Sequence, residues 1–520
     1  MAARLREISR FPAAAAIAGA VLAALVLGTL AAVAIRAGGL SGLRATDLAA
    51  IRFTLWQAAL SALISCALAI PVARALHRRR FPGRGLLISL LGAPFILPVI
   101  VAVFGLIAVF GRRGLVNAAL APLGIDPISI YGAQGVITAH VFFNLPLATR
   151  MILHGWQAIP SERLRLAASL GFGPADVTRH LERPMLRAVL PGAFLAIFLV
   201  CLTSFAVALT LGGGPRATTV ELAIYQAFRF DFDMGRAASL ALVQVAISVA
   251  ALLIAARVTL PSEFGAGQDR ATPPIGQLAG GRSRAAIDAL AITLAAAFLL
   301  APIGAVFARG LPAITSLPEM VWPATLTSLA IALASALITL ATALPLALAA
   351  TRYRVAEIAA MLPMTASALV MGTGAFLIAR PFVNPTSLAL PMVLLTNAAL
   401  SVPFAARILM PEIRTLQADY DRLAASLGLA GLARLRLLTL PRLARPLGFS
   451  AGLAAAFSMG DLGVITLFSD GQTRTLPLAL FQLMGSYRMD QAAGAATLLL
   501  SLTFALFWAL DRAGHHADPR

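Results

Sequence analysis

The chain has no lysine: all 41 of its basic residues are arginine. A P-loop needs a lysine to reach the phosphates of a nucleotide, so none is encoded here. Any ATP hydrolysis that drives this protein belongs to another chain. Charged residues of both signs make up 12% of its 520 residues, against about a quarter in soluble domains. Cys66 and Cys201 are the two cysteines and both lie in apolar stretches, which excludes a secreted disulfide framework. No group of His, Cys, Asp and Glu has metal-ligand spacing, so neither a metal nor a cofactor is expected. Alternating ten-residue strands are also missing, which argues against a β-barrel.

Apolar length dominates instead. Hydrophobic residues make up 59% of the chain and the mean hydropathy is +0.87. Runs of roughly 20 apolar residues recur, enough to cross a bilayer as helix. The expected fold is an all-α, polytopic membrane protein of about twelve spans. Six are read at Ala13–Ile35, Phe53–Ala75, Gly85–Phe110, Ala133–Leu153, Ala188–Leu211 and Ala237–Ala256. Six more are read at Ile287–Phe307, Pro323–Ala350, Ala356–Ala379, Ser387–Leu409, Pro446–Phe468 and Ala492–Leu510. A net charge of +19 would suit nucleic acid if it were clustered, but the arginines sit at span ends. That is the positive-inside pattern. It predicts a lipid-bilayer partner, no nucleic acid, and both termini in the cytoplasm of a multi-pass inner-membrane protein.

The chain also repeats itself. Arg165-Leu-Ala-Ala-Ser-Leu-Gly171 recurs unchanged as Arg422-Leu-Ala-Ala-Ser-Leu-Gly428, 257 residues on, and Pro184 and Pro441 follow at the same interval. Ser61-Ala-Leu-Ile64 likewise matches Ser335-Ala-Leu-Ile338. Repeats at half-chain spacing mean duplicated architecture. The expected domains are a six-helix half at 1–256, a Pro- and Gly-containing linker at 257–286, and a second half at 287–520. An even number of spans per half points both halves the same way, as a parallel repeat.

Polar islands at about 160–187 and 411–445 carry the identical heptapeptide. Each reads as a short helix, a glycine turn, a second short helix and a proline that breaks the chain before the next span. Small Ala167, Ala168 and Gly171 would let another protein approach closely, as would Ala424, Ala425 and Gly428. An ordinary amphipathic loop is the plainer reading, but it does not account for one sequence being kept in both halves.

The Ala-x-x-x-Gly core with its downstream proline resembles the "EAA" loop of binding-protein-dependent ABC importer permeases. In that family the loop is a coupling helix seated on an ATPase subunit. The resemblance implies the fold of such permeases, two copies of a cytoplasmic ATPase, and coupling roles for Arg165, Ala167, Ala168, Gly171, Pro184, Arg422, Ala424, Ala425, Gly428 and Pro441. The family's glutamate is replaced here by Arg165 and Arg422. Longer stretches are similar to the fused permeases of thiamine importers: Arg78–Arg84, Leu97–Gly105, Ala139–Pro146, Leu211–Gln226, Gly460–Gly463 and Gly485–Arg488. They imply import of thiamine or its phosphates, a periplasmic thiamine-binding protein, and no enzymatic activity in this chain.

Two groups of residues are candidates for a substrate path or for docking the binding protein. Asp461 near the end of a span could draw a cation; capping or pairing with Arg474 or Arg488 is the structural alternative. Arg216, Glu221, Tyr225, Gln226, Arg474 and Gln482 lie in outer segments of matched pattern, Glu221-Leu-Ala-Ile-Tyr-Gln226 against Pro477-Leu-Ala-Leu-Phe-Gln482. A ferric-iron importer permease and a proton-coupled secondary transporter are the competing functions.

Overall fold

The structure, a computed structural model, describes residues 2–37, 43–91, 96–214, 217–257, 282–469 and 473–516. No strand occurs among them. The expected linker falls almost wholly outside the described residues, as does Arg216. Before it come α1 (Ala2–Ala37), α2 (Ala45–Arg78), α3 (Arg84–Leu90), α4 (Val99–Phe110), α5 (Leu115–Leu120), α6 (Ala133–Gln157), α7 (Ser161–Ser169), α8 (Pro174–Val177), α9 (Arg183–Leu202), α10 (Ala206–Leu211), α11 (Val220–Arg229) and α12 (Met234–Arg257). After it come α13 (Arg282–Ala313), α14 (Val321–Ala350), α15 (Arg354–Met361), α16 (Ala368–Ala379), α17 (Ala389–Ser426), α18 (Gly431–Arg434), α19 (Leu440–Arg442), α20 (Ala444–Gly460), α21 (Gly463–Phe468), α22 (Leu476–Gly485) and α23 (Met489–His516).

Among the described residues 11 helices are long and apolar enough to cross a membrane, or 12 if α15 and α16, bent by 91°, count as one span. This is an all-α, polytopic membrane fold. Leu63 and Leu337, equivalent positions on α2 and α14, are exposed as lipid-facing residues would be.

Four expected spans are broken, and in the second half Ala356–Ala379 divides into α15 and α16 and Pro446–Phe468 into α20 and α21. Gly85–Phe110 divides into α3 and α4, with Pro98 as the N-cap of α4, because proline suits a helix start and cannot continue one. Ala188–Leu211 divides at Thr203 into α9 and α10. A broken helix inside an apolar medium leaves backbone carbonyls without partners. Here Gln57 Nε2 donates to Cys201 O at 3.1 Å and Gln244 Nε2 to Leu202 O at 2.9 Å, so side chains from α2 and α12 cover the end of α9. His140, buried on α6, faces Ser61 Oγ at 3.5 Å, as expected of polar glue between helices. Pro146 and Pro403, by contrast, lie inside the continuous helices α6 and α17.

The first helix on each side of the linker packs across it. α1 lies on α14 and α16, while α13 lies on α2 and α4. Both crossings use a glycine where backbones meet. A Cβ on Gly105 would fall 2.6 Å from Pro302 O, and one on Gly374 would fall 2.3 Å from Thr29 O. Small residues allow such approach between membrane helices. We expect Gly105→Ala and Gly374→Ala each to destabilise the fold by about 1–3 kcal/mol through overpacking. Gly28→Ala and Gly304→Ala, where a Cβ meets nothing within 4 Å, should be neutral. Thermal unfolding in detergent distinguishes these outcomes.

Candidate functional site

The islands fold alike where their sequences agree. α7 and the last turns of α17 both end in a left-handed glycine, Gly171 at φ +68° and Gly428 at φ +65°. Phe172 N–H reaches back to Ala167 O at 3.0 Å and Leu429 N–H to Ala424 O at 2.9 Å. This is the Schellman closure, in which glycine avoids the Cβ penalty of positive φ. No atom would crowd a Cβ at either glycine, so backbone conformation and not close packing demands it.

Ala167 and Ala424 are turned inward, 4% and 2% exposed, and seat the island on its own protein. Ala425 is exposed, and the side chain of Ala168 lies outside the described residues. The outward face carries leucines that sequence reasoning passed over. Leu166 and Leu170 on one island, and their counterparts Leu423 and Leu427 on the other, are all exposed one helical turn apart. Arg165 and Arg422 flank them, exposed, with Arg165 held to Glu162 at 3.2 Å. The signal was present as matched Leu-x-x-x-Leu spacing in both copies.

Neither proline breaks the chain. Pro184 and Pro441 stand just after π-helical turns, Thr178–Glu182 and Leu435–Thr439. Proline cannot donate to the residue four back and its ring clashes with that carbonyl. The wider turn relieves both; α9 runs on past Pro184, while beyond Pro441 the chain turns at Leu443 before α20 begins. Pro411, expected to open the second island, lies within the 38-residue α17.

The anchoring of the islands differs. Glu182, buried in the first π-turn, bonds Arg74 at 2.7 Å and Arg78 at 2.9 Å on α2, and Thr178 Oγ1 donates to it at 3.0 Å. In the second half the equivalent position is Thr439 and the ion pair is Arg434 with Asp421, inside the island itself. The adjoining Arg79 binds Asp288 of α13 at 2.7 Å.

Four helix breaks meet inside the bundle. A Cβ on Gly460 would lie 3.2 Å from Pro98 Cα, and one on Gly463 would lie 3.5 Å from Ala368 Cβ and 3.9 Å from Phe205 Cδ1. The starts of α4, α10, α16 and α21 are therefore neighbours. Asp461 sits at one break, with Oδ1 accepting from Gly463 N–H at 3.1 Å, and the Asn397 side chain lies nearby, though Oδ2 has no partner at hydrogen-bond geometry. Of the structural alternatives for Asp461, capping is the one observed. Glu221, at the start of α11, is 1% exposed, and both its oxygens lack a partner at hydrogen-bond geometry.

Opposite the islands, α11 and α22 are held by matched hydroxyls. Val220 N–H donates to Thr54 Oγ1 at 2.9 Å and Leu476 N–H to Ser328 Oγ at 2.8 Å. A charged cluster unforeseen from sequence joins α2 to α12, with Arg236 clasping both oxygens of Asp47 at 2.6 and 3.0 Å. Gln226 is exposed, while Gln482 and Arg474 are partly buried, Arg474 Nη1 lying 3.2 Å from Met320 Sδ. Tyr225 is buried against Phe205, with ring centroids 5.4 Å apart. The side chains of Glu221 and Tyr225 therefore belong to the interior and not to a docking face. Just beyond α11 and α22, Phe232 and Tyr487 are 77% and 86% exposed and hold positive φ, +52° and +58°. Left-handed backbone is costly for such bulky residues.

Matched islands, spans that cross between two sides of the chain, and broken helices meeting in the interior define a polytopic α-helical membrane permease. No protein-family model matches the chain. It is 41% identical over 523 aligned residues to the thiamine transport system permease protein ThiP of Brucella abortus (strain 2308), covering 96% of this chain and 95% of that protein. It is 40% identical over 484 residues to the ThiP of Escherichia coli (strain K12), covering 89% and 88%. The molybdenum transport system permease protein ModB of Azotobacter vinelandii is 29% identical over 178 residues, 34% of this chain but 78% of that shorter protein. The chain belongs to the ThiP family of transport-system permeases.

Burial holds the Glu221 carboxyl up at about 8, with the nearby Ser367 hydroxyl pulling the other way. A carboxyl raised above its ordinary 4.5 keeps a proton in the folded state that the unfolded chain releases. It therefore costs stability increasingly as pH rises from that value towards 8. Glu221→Gln should remove this pH-dependent cost, so that the variant gains stability relative to wild type as pH rises from 5 to 8. Melting curves at the two pH values check the sign, and a variant that gains nothing over wild type between them would contradict it.

Proposed function

We propose that this protein is the transmembrane subunit of an ATP-driven importer that carries thiamine, and its phosphates, inward across the inner membrane. The observation that carries this reading is the pair of equivalent islands, each presenting two leucines and an arginine on an outward face closed by a left-handed glycine. Exposed apolar pairs at one spacing, twice in one chain, suit one partner bound twice. Two copies of a cytoplasmic ATPase fit that arrangement, one under each half. The halves run at 1–256 and 287–520 and the islands at about 160–187 and 411–445. The shorter molybdenum permease, aligned over only a third of this chain, supports a duplicated plan. The islands and both termini lie on the arginine-rich cytoplasmic side, so α11 and α22 face the periplasmic binding protein. Thiamine is supported by what the relatives' names state of those proteins.

The test is uptake into vesicles holding the complete complex, supplied with loaded binding protein. Thiamine uptake should require ATP. Uptake driven by a proton gradient without ATP, or selective uptake of ferric iron, would refute the proposal. Leu166→Ser together with Leu423→Ser should leave the fold intact and reduce ATPase co-purification at least tenfold. Unchanged co-purification would remove the islands from the mechanism.

Strained aromatic residues on an outer surface are kept against a stability cost, which points to recognition. Tyr487→Gly and Phe232→Gly should each stabilise the permease by about 1 kcal/mol by relieving the backbone. Each should also weaken docking of the loaded binding protein severalfold. Surface plasmon resonance with the reconstituted permease reads this, and unaltered docking by both variants would show that the aromatics serve no interface.

A further inference from the structure

Two acids lie where the four breaks converge, Glu221 buried and Asp461 half-buried, and the cap that Asp461 Oδ1 makes on Gly463 N–H leaves the rest of their carboxyl oxygens without an ionic partner. Glu221 comes from the first half and reaches Ser367, the N-cap residue of α16 in the second. The residue after Ser367, Ala368, neighbours Gly463, whose N–H binds Asp461. Both oxygens of Glu221 and Oδ2 of Asp461 have no partner at hydrogen-bond geometry, and only neutral groups stand near them, the Ser367 hydroxyl by Glu221 and the Asn397 amide by Asp461. Among the described residues no arginine or histidine forms an ion pair with either acid, although the same protein pairs Asp47, Glu182 and Asp288 closely. Polar groups buried without partners are rare in folded proteins, because each forfeits its hydration. Acids that have no structural partner inside a membrane protein mark a path for charge.

The surroundings specify what kind of charge. Phe205, beside Gly463, stands edge to face with Tyr225, which lies one helical turn along α11 from Glu221. Aromatic faces beside carboxylates attract organic cations by their ring quadrupole as well as by shape. A hard divalent metal would require six or more oxygen ligands, and no group of residues suited to a metal occurs among the described residues.

We propose that Glu221 and Asp461, one from each half, form a substrate site of the permease itself for an aromatic organic cation. The proposal rests on the importer reading above. In this conformation the acids are enclosed, and the site opens when the helix starts of the two halves separate. Its cargo then bridges the halves: one carboxylate on each side shares the positive charge, and the phenyl rings cover the ring of the cation. A cation leaving the binding protein is thereby held midway, and release follows when the acids part.

The experiment uses the complete complex with a hydrolysis-deficient ATPase, so that each nucleotide state persists. Retention of radiolabelled thiamine, and of benzyltrimethylammonium as a simple aromatic cation, is measured with and without ATP after the binding protein is washed away. The wild-type complex should retain both cations in one of the two states. Glu221→Gln and Asp461→Asn should each weaken retention at least tenfold while benzyl alcohol, neutral and of like shape, is ignored by all three. Glu221→Gln is expected to fold at least as well as wild type, so its loss of binding would not reflect unfolding. ATPase co-purification is followed in parallel, and ATP-dependent uptake is followed in a matched complex that carries the hydrolysis-competent ATPase. If uptake and assembly are normal but the wild type retains no cation in either state, or both variants retain it equally well, the site is refuted and the importer reading stands. If assembly and ATP-dependent uptake fail in the wild type, the importer reading itself falls, and this site with it.

Discussion

A backbone carbonyl or N–H inside a bilayer must find a partner within the protein, and the way this chain meets that demand determines the rest of its structure. Unbroken helices meet it automatically. This protein breaks several of its spans in the interior and then supplies substitutes from neighbouring helices. Gln57 and Gln244 cover the end of α9, Asp461 takes the first free N–H of α21, and Ser367 takes Val370 N–H at the start of α16. Such breaks are tolerated only where protein or a water-filled cavity surrounds them. They place helix ends, with free dipoles and adaptable backbone, along the line where the two halves meet. Transporter sites built from discontinuous helices use the same property.

The same accounting explains the islands. Each must leave the bundle, turn and re-enter as a span with a proline at the entrance. The π-turns before Pro184 and Pro441 allow this without a free end. Duplication has conserved the turn but not its anchor. Glu182 ties the first island to Arg74 and Arg78 of α2, whereas the second is continuous with α17, a helix about 57 Å long by its rise per residue. Motion of one island is thus referred to α2 through a buried ion pair, and motion of the other along a rigid rod. One identical heptapeptide therefore sits in two mechanically different mounts.

Much of this was legible in the sequence, and the failures have physical causes. Apolar run length marked the spans well, since a bilayer filters composition strongly. The repeat marked the islands because an identity of seven residues survives any uncertainty in helix boundaries. Hydropathy could not reveal the breaks at Thr203 and Pro98, because it averages over the window that contains them. Ala167 and Ala424 were read as contact residues from their size and from the family resemblance, and the exposed leucines were passed over; which face of a short helix points inward depends on the span it returns to, and a one-residue rotation exchanges alanine for leucine. Pro184 was read as a breaker because sequence rules assume a regular helix upstream, and a π-turn removes that premise. Glu221 was read in an outer segment as a substrate-path or docking residue; its burial follows from the start of α11 being tied to α2, with Val220 N–H held by Thr54, a contact between distant residues that sequence pattern does not display.

The central claim is that the enclosed meeting point of the broken helices opens during transport. Cys66 and Cys201 are both buried, so a single introduced thiol can be followed almost alone. Ala368→Cys places one at the start of α16 beside Gly463. Its rate of reaction with a membrane-impermeant maleimide, in the reconstituted complex, measures whether water reaches that point. The account predicts almost no labelling at rest and at least tenfold faster labelling once ATP and loaded binding protein are added. Equal rates in both conditions would contradict it.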